Sequence, residues 1–211
     1  MSDDSSTPKP KPEIIVFDLG KVLVDFDYSL AGKRLAARSK ISPEAIQEYL
    51  DHSPLLFRYE SGQMTRQEFF EEVRRYTGFA GTLTEFGRFF ADIFKEMPEM
   101  IGIHDSLYRR GFRTFILSNT NDLAIEHIRA SFPFFANFNG YILSYEVGAM
   151  KPNPVIYAAL EARTGFQKGQ ILYIDDRQEN IVAAEERGWN TILQTTPAAT
   201  RAAMAQFDLI V

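Results

Sequence analysis

Cysteine is absent from this sequence of 211 residues, which excludes disulfide bonds, thiolate catalysis and cysteine-based metal sites. Histidine is scarce. His52, His104 and His127 lie far apart without the spacing of metal ligands, and we interpret each as a surface or packing residue. No basic run accompanies the net charge of −5, so the sequence favours no nucleic-acid partner. No segment approaches the roughly 20 apolar residues of a membrane-spanning helix, and we expect no membrane partner.

The rest of the composition is that of an ordinary soluble globular protein, with 45% hydrophobic and 24% charged residues. The length suits one α/β domain with a modest insertion. Residues 1–12 are polar and rich in proline and have the pattern of neither a signal peptide nor a membrane span. We therefore expect a disordered tail there and a cytoplasmic location. Nothing in the sequence sets the oligomeric state.

The stretch from Glu13 to Val24, EIIVFDLGKVLV, organises the chain. Its apolar run Ile14–Phe17 is rich in β-branched residues, which is typical of a strand buried on both faces in a parallel sheet. Ligands of such sheets bind beyond the carboxyl ends of the strands. Asp18 stands at that end, where it either terminates the strand or serves as a nucleophile or metal ligand.

From Pro98 onwards the sequence alternates between helical and strand patterns. Strands separated by helices of 10–15 residues predict βαβ units and therefore a parallel sheet with right-handed crossovers. The predicted strands are Thr114–Ser118, Tyr141–Ser144, Ile171–Ile174, Thr191–Gln194 and Asp208–Val211.

Between the first strand and Pro98 the signals are those of helices. Ser42 before Pro43 is a good helix start, and Thr65 with Glu68 forms a capping box. Phe86, Phe89, Phe90 and Phe94 give one apolar helical face, which favours the core of a small helical unit over a ligand site. We expect no buried strand in this region.

Polar residues follow the predicted strands at three further places: Ser118-Asn119, Lys151 and Asp175-Asp176. Each has a structural alternative. Ser118 and Asn119 can cap a helix, Lys151 can be a solvated loop residue, and Asp176 with Glu179 resembles a capping box. The functional interpretation is favoured because all of these groups converge on one edge of the predicted sheet.

The chemistry of these groups is coherent. Asp18 and Asp176 offer oxygen ligands to a hard divalent cation such as Mg²⁺. The side chains of Ser118, Asn119 and Lys151 would hold a phosphoryl group. Asp18 would attack phosphorus and form an aspartyl phosphate, which water then hydrolyses.

These residues also resemble, in their order, the four motifs of the haloacid dehalogenase-like (HAD) hydrolase superfamily. The similarity is greatest to its phosphatase branch with a helical cap, which includes bacterial alpha-D-glucose-1-phosphate phosphatases and the N-terminal phosphatase domain of epoxide hydrolases. The segment Glu60–Phe69, ESGQMTRQEF, is similar to the cap of that branch. The motifs are Asp18-Leu19-Gly20, Ser118-Asn119, Lys151-Pro152 and Asp175-Asp176.

The resemblance implies a Rossmann-like α/β core over residues 13–27 and 97–211, with a small α-helical cap inserted over residues 28–96. It implies Asp18 as the nucleophile, with Lys151 as a second catalytic group that also binds phosphate beside Ser118 and Asn119. It implies Mg²⁺ held by Asp18, the backbone carbonyl of Gly20 and Asp176, with Asp175 acting through water.

One position departs from the family pattern. Most phosphatases of the superfamily carry a second aspartate two residues after the nucleophile as general acid and base, and here that residue is Gly20. The backbone carbonyl of Gly20 can still coordinate a metal, because that contact needs no side chain. The residue that usually acts as general acid is missing, and a general acid typically raises the rate by ~10²–10⁴-fold. Asp25 and Asp27 are the nearby candidates to replace it.

The sequence thus predicts a Mg²⁺-dependent phosphatase that acts on a small phosphorylated metabolite. Sugar phosphates are among the possible substrates. Two alternatives stay open at this point. A haloacid dehalogenase would also lack the second aspartate, although halide displacement does not need the pair Asp175-Asp176. A non-catalytic module that binds a phosphorylated ligand is compatible with Gly20.

Overall fold

A computed structural model of the protein describes residues 11–209, except the side chains of residues 51 and 52. The strands are β1 Ile14–Phe17, β2 Val24–Phe26, β3 Phe94–Glu96, β4 Arg113–Ser118, β5 Gly140–Leu143, β6 Ile171–Asp175 and β7 Asn190–Leu193. The helices are α1 Tyr28–Ala36, α2 Pro43–His52, α3 Pro54–Glu60, α4 Arg66–Thr77, α5 Leu83–Ala91, α6 Pro98–Arg109, α7 Asp122–Ser131, α8 Ser144–Val147, α9 Pro154–Thr164, α10 Gln178–Glu185 and α11 Pro197–Met204.

The larger sheet contains, within the described part of the chain, five parallel strands in the order β5-β4-β1-β6-β7. This confirms the predicted α/β class with a Rossmann-like parallel sheet. β1 is central because its apolar side chains are buried on both faces of the sheet. Ile15 and Phe17 pack in one hydrophobic cluster, and Ile14 and Val16 pack in the other. Burial of each such side chain stabilises the fold by about 1.5–3 kcal/mol.

Five helices, α1 to α5, lie between β2 and β3, which pair with each other as antiparallel strands. These helices enclose a hydrophobic cluster of their own, dominated by aromatic rings. The predicted capping box of Thr65 and Glu68 starts α4. The division of the chain into core and cap at residues 28 and 96 stays a prediction, since the structure gives the elements and their packing rather than domain limits.

Two details of the expected secondary structure are wrong. Phe94 does not continue the helical face of Phe86 and Phe90, because α5 ends at Ala91 and Phe94 begins β3. Asp208 and Leu209 do not form a strand: a 3-10 helix, Ala205–Phe207, ends in the left-handed conformation of Asp208, with φ of 55°. The last two residues of that predicted strand lie outside the described residues.

The predicted tail and His52 fall mostly outside what the structure describes. Of residues 1–12, only Lys11 and Pro12 are described, and Pro12 is buried. His104 is a packing residue, as expected, and its ring stacks on Phe138 at a centroid distance of 3.9 Å. Among residues 11–209, no helix combines the length and the apolar character needed to cross a membrane.

Candidate active site

The order of the strands brings three predicted site residues to one edge of the sheet. β1 lies between β4 and β6, with Phe17 in register with Ile116 on one side and Ile174 on the other. Asp18 follows β1 directly, and Ser118 and Asp175 are the last residues of β4 and β6. Because the strands are parallel, these three residues are neighbours at the carboxyl edge.

Lys151 connects two of these strand ends. Its Nζ lies 2.8 Å from Oδ1 of Asp18 and 2.7 Å from Oδ2 of Asp175. Lys151 is 5% exposed, so the interpretation as a solvated loop lysine is wrong. Burial opposes the charge of Lys151, but the two carboxylates raise its pKa above the usual value. This buried ammonium therefore holds two carboxylates that would otherwise repel each other.

Asp18 has an unusually high pKa for an aspartate. Burial, together with the nearby charge of Asp175, raises the pKa of Asp18 to about 7, although the charge of Lys151 opposes this shift. Oδ1 of Asp18 accepts hydrogen bonds from Lys151 and from the backbone N–H of Leu19 at 2.7 Å. Both contacts use the same oxygen of the carboxylate.

Asp175 is surrounded by donors. Beside Lys151, it accepts hydrogen bonds from the Tyr173 hydroxyl, from the Arg177 backbone N–H at 2.8 Å and from the Asn180 amide at 3.0 and 3.1 Å. Although burial acts in the opposite direction, Lys151 and these donors hold the pKa of Asp175 below its usual range. The sequence analysis missed Tyr173 and Asn180, because the contacts depend on how α10 packs against β6.

Asp176 completes a cluster of carboxylates. Ligand atoms of Asp18, Asp175 and Asp176 all lie within 4.8 Å of one another. Asp176 does not cap the following helix, because Arg177 occupies the cap position of α10 and no side-chain cap bond is formed. Burial, and then the charge of Asp175, raise the pKa of Asp176. Carboxylate oxygens at this spacing, from two buried residues and the partly buried Asp176, are a donor set that suits a hard divalent cation.

Asn119 and Lys151 are joined through the backbone. The Asn119 side chain donates to the Lys151 carbonyl at 3.0 Å and accepts from the Lys151 N–H at 2.7 Å. Among the described residues, the Asn119 amide uses one of its two N–H groups in a hydrogen bond, which leaves the other for a ligand. Ser118 is buried, and its hydroxyl donates to the Asn119 carbonyl at 3.3 Å. Neither residue caps α7, whose cap is Asn121.

These groups face a cavity of about 410 Å³. On the core side it is lined by Asp18, Ser118, Asn119, Lys151 and Asp176. On the other side it is lined by Tyr28 of α1, Leu56 and Glu60 of α3, and Phe94 of β3. Phe26 and Gly20 lie between the two walls. The cavity therefore places the charged strand ends opposite a largely apolar wall.

Glu60 is the functional candidate that the sequence analysis did not single out. It is partly buried, and removal from water raises the pKa of its carboxyl to about 7, with a hydrogen bond to Asn121 as the opposing influence. The residue opens the segment Glu60–Phe69, but no spacing rule in the sequence shows which of its side chains faces a cavity.

The ring of Phe26 lies close to the position of the missing aspartate. A Cβ atom added to Gly20 would lie 3.0 Å from Cε1 of Phe26. Asp25 pairs with Lys21, and Asp27 accepts from the Ser29 N–H at 2.9 Å as the cap of α1. Among the described residues, the lining of the cavity includes neither of these two aspartates.

Comparison with known proteins identifies the family of this chain. A family model described as "haloacid dehalogenase-like hydrolase" matches residues 12–188. The D-ribitol-5-phosphate phosphatase of Bacteroides thetaiotaomicron is 25% identical over 190 residues, covering 84% of this chain and 89% of that protein. A solved structure described as "a predicted HAD-like family hydrolase", from Porphyromonas gingivalis, is 29% identical, covers 92% of this chain and 98% of that chain, and superposes with a TM-score of 0.75.

A further solved structure shares the fold. It is a HAD family enzyme from Bacteroides thetaiotaomicron, determined in complex with magnesium and inorganic phosphate. It is 23% identical, covers 86% of this chain and 93% of that chain, and has a TM-score of 0.76.

Proposed function

The chain belongs to the haloacid dehalogenase-like hydrolase family, and on that premise we propose that it is a Mg²⁺-dependent phosphatase of a small phosphate monoester. The observation that supports this most is the contact of buried Lys151, which lines the cavity beside Asp18, with both Asp18 and Asp175. A carboxylate attacking a phosphate dianion needs nearby positive charge, because the two anions repel each other.

The residues present fit a divalent cation. Asp18, Asp176 and the backbone carbonyl of Gly20 would hold it, because Asp175 already accepts hydrogen bonds from four neighbouring residues. We assign Asp175 to orienting Lys151. When bound, the cation supplies positive charge that favours ionised Asp18 and offsets the charge of the phosphoryl group.

The remaining groups define the reaction. Oδ1 of Asp18 is held by Lys151 and Leu19, so we assign the attack on phosphorus to Oδ2. The new bond joins Asp18 to phosphorus while the bond from phosphorus to the ester oxygen breaks. Ser118, the free N–H of Asn119 and Lys151 would hold the phosphoryl oxygens. Water then hydrolyses the aspartyl phosphate and regenerates the carboxylate.

The size of the cavity and the name of one relative support a proposal for the substrate class. A volume of about 410 Å³ suits a small metabolite, and the relative from Bacteroides thetaiotaomicron is named for a phosphorylated sugar alcohol. We therefore place sugar and sugar-alcohol phosphates first among the substrates to test.

The experiment is a screen of the purified protein against sugar phosphates, sugar-alcohol phosphates, nucleotides and 4-nitrophenyl phosphate, with Mg²⁺ and with EDTA. Release of phosphate that depends on Mg²⁺ is expected. Turnover of a 2-haloacid unaffected by EDTA would identify a dehalogenase instead. Absence of turnover on every ester, with phosphate still bound, would identify a binding module.

A further inference from the structure

The leaving group of a phosphate ester needs a proton, and the residues beside Asp18 do not offer an obvious source. Gly20 has no side chain, and the ring of Phe26 occupies the space where one would begin. Asp18 and Asp176 belong to the proposed nucleophile and cation site, and Lys151 is held by two carboxylates. A proton donor must therefore come from elsewhere in the lining of the cavity.

Glu60 is the carboxyl of the cavity lining that has no part in this carboxylate cluster. It stands at the last position of α3, on the wall opposite the strand ends. Within the described residues, no lysine or arginine forms an ion pair with it. Its partner is the neutral amide of Asn121, and its neighbours in the lining include Leu56. A carboxyl in such surroundings favours the neutral form, which can donate a proton.

The position of Glu60 is fixed from the adjacent residue. Tyr59 is buried, and its hydroxyl donates a hydrogen bond to Asp122. Asp122 also accepts a hydrogen bond from Arg66 of α4. Glu60 and Tyr59 thus contact Asn121 and Asp122, two consecutive residues that begin α7. The same turn follows Ser118 and Asn119 directly in the chain. Glu60 consequently lines the same cavity as Ser118 and Asn119 of the proposed phosphate site.

We infer that Glu60 is the general acid of this enzyme, in place of the side chain that Gly20 lacks. The inference rests on the phosphatase function proposed above. As the bond from phosphorus to the ester oxygen breaks, its electron pair stays on that oxygen, and the Glu60 carboxyl gives its proton to it. The Glu60 carboxylate then takes a proton from the water that attacks the aspartyl phosphate, which restores the acid.

The test is the dependence of rate on leaving-group acidity. Single-turnover formation of the phosphoenzyme is measured on a series that runs from 4-nitrophenyl phosphate through phenyl phosphate to a simple primary alkyl phosphate. These esters carry no further hydroxyl groups, so hydrogen bonding to a sugar does not enter. The variants are Glu60→Gln, Glu60→Asp and, as a matched control, Glu48→Gln, which changes an exposed carboxylate of α2.

Glu60→Gln is expected to keep close to the parental rate on 4-nitrophenyl phosphate, whose leaving group needs no proton. On the alkyl phosphate the variant should lose ~10²–10⁴-fold, the usual contribution of a general acid. Glu60→Asp should recover part of that loss, because it keeps a carboxyl group. Glu48→Gln should match the parent across the series.

Two outcomes overturn the inference while the phosphatase function stands. One is an equal loss on every ester, which would make Glu60 a positioning or packing residue. The other is an unchanged rate on the alkyl phosphate. If the parent turns over none of the esters, the phosphatase function and this inference fail together. If Glu60→Gln does not fold, Glu60→Asp decides, since its deficit must then grow with the leaving-group pKa.

Discussion

The two walls of the cavity differ in how their polar groups are satisfied. On the core wall, Asp175 and Asn119 are each joined to Lys151 by hydrogen bonds, and the side chain of each of the three residues makes at least two such bonds. On the opposite wall, Tyr28, Leu56 and Phe94 are mainly apolar, and Glu60 has one neutral partner. A preorganised charged wall suits the phosphoryl transfer itself, which is the same for every ester. A mainly apolar wall suits the leaving group, which differs from one ester to another.

The largest expected effect lies on the core wall, at the nucleophile. Asp18→Asn keeps the shape of the side chain but removes its negative charge, so turnover of 4-nitrophenyl phosphate should fall by about 10³-fold or more. Asp25→Asn, an exposed aspartate outside the cavity lining, is the control and should stay active. Acid quenching of the parent during turnover should trap phosphate on Asp18. Activity of Asp18→Asn above a few per cent would contradict covalent catalysis.

The second effect tests whether the core wall depends on its buried cation. Lys151→Met leaves Asp18 and Asp175 as two buried carboxylates without their ammonium, and the free energy of unfolding should fall by about 3–5 kcal/mol. Arg75→Met is the matched control on α4, since its pair with Glu72 is exposed and is worth at most ~1 kcal/mol. Urea unfolding measures both. Equal losses would show that burial does not distinguish the two ion pairs.

The third effect concerns the cation. Asp176→Ala removes one of the few carboxylate ligands, so the Mg²⁺ concentration needed for half-maximal activity should rise by about 10–100-fold. Activity should recover in part as Mg²⁺ is raised, and the free energy of unfolding without metal should change little. Activity at the parental Mg²⁺ requirement would remove Asp176 from the site.

The smallest effect belongs to the opposite wall and concerns pH. The pKa of Glu60 is raised to about 7 in the folded protein from 4.5, so the unfolded chain releases this proton first as pH rises. The stability that Glu60 contributes is full below pH 4.5 and is lost as pH rises through 7. Between pH 5 and pH 8 the parent should therefore lose on the order of 1–3 kcal/mol relative to Glu60→Gln. A pH-independent difference in urea unfolding would show that Glu60 ionises as freely when folded.

Much of the core wall could be predicted from the sequence, because its residues lie at the ends of strands that are visible in the sequence as continuous apolar runs. Asp18 directly follows such a strand, and Ser118 and Asp175 are the last residues of two others. The parallel order of the strands brings the three residues together. The short pair β2 and β3 could not be predicted in the same way. Each strand has three residues, only Val24 of the six is buried, and Val24 pairs with Glu96 across the whole helical insertion.

The opposite wall could not be predicted because its side chains are selected by packing. Glu60 lines the cavity because α3 ends against the start of α7, a contact between segments about 60 residues apart. Phe94 lines it because α5 stops at Ala91, where the aromatic spacing alone favours a longer helix. Local periodicity in the sequence shows neither the contact between α3 and α7 nor the end of α5.

The central place of β1 has a consequence for motion. All four of its side chains are fully buried and both of its edges are paired, so its amide hydrogens should exchange with solvent only when the whole protein unfolds. Phe57 in α3 is 55% exposed, and amides of this short surface helix should exchange through local opening. Asp18 is thus attached to the slowest-exchanging part of the molecule and Glu60 to a faster one. If exchange follows this order, local opening at α3 leaves the nucleophile in place.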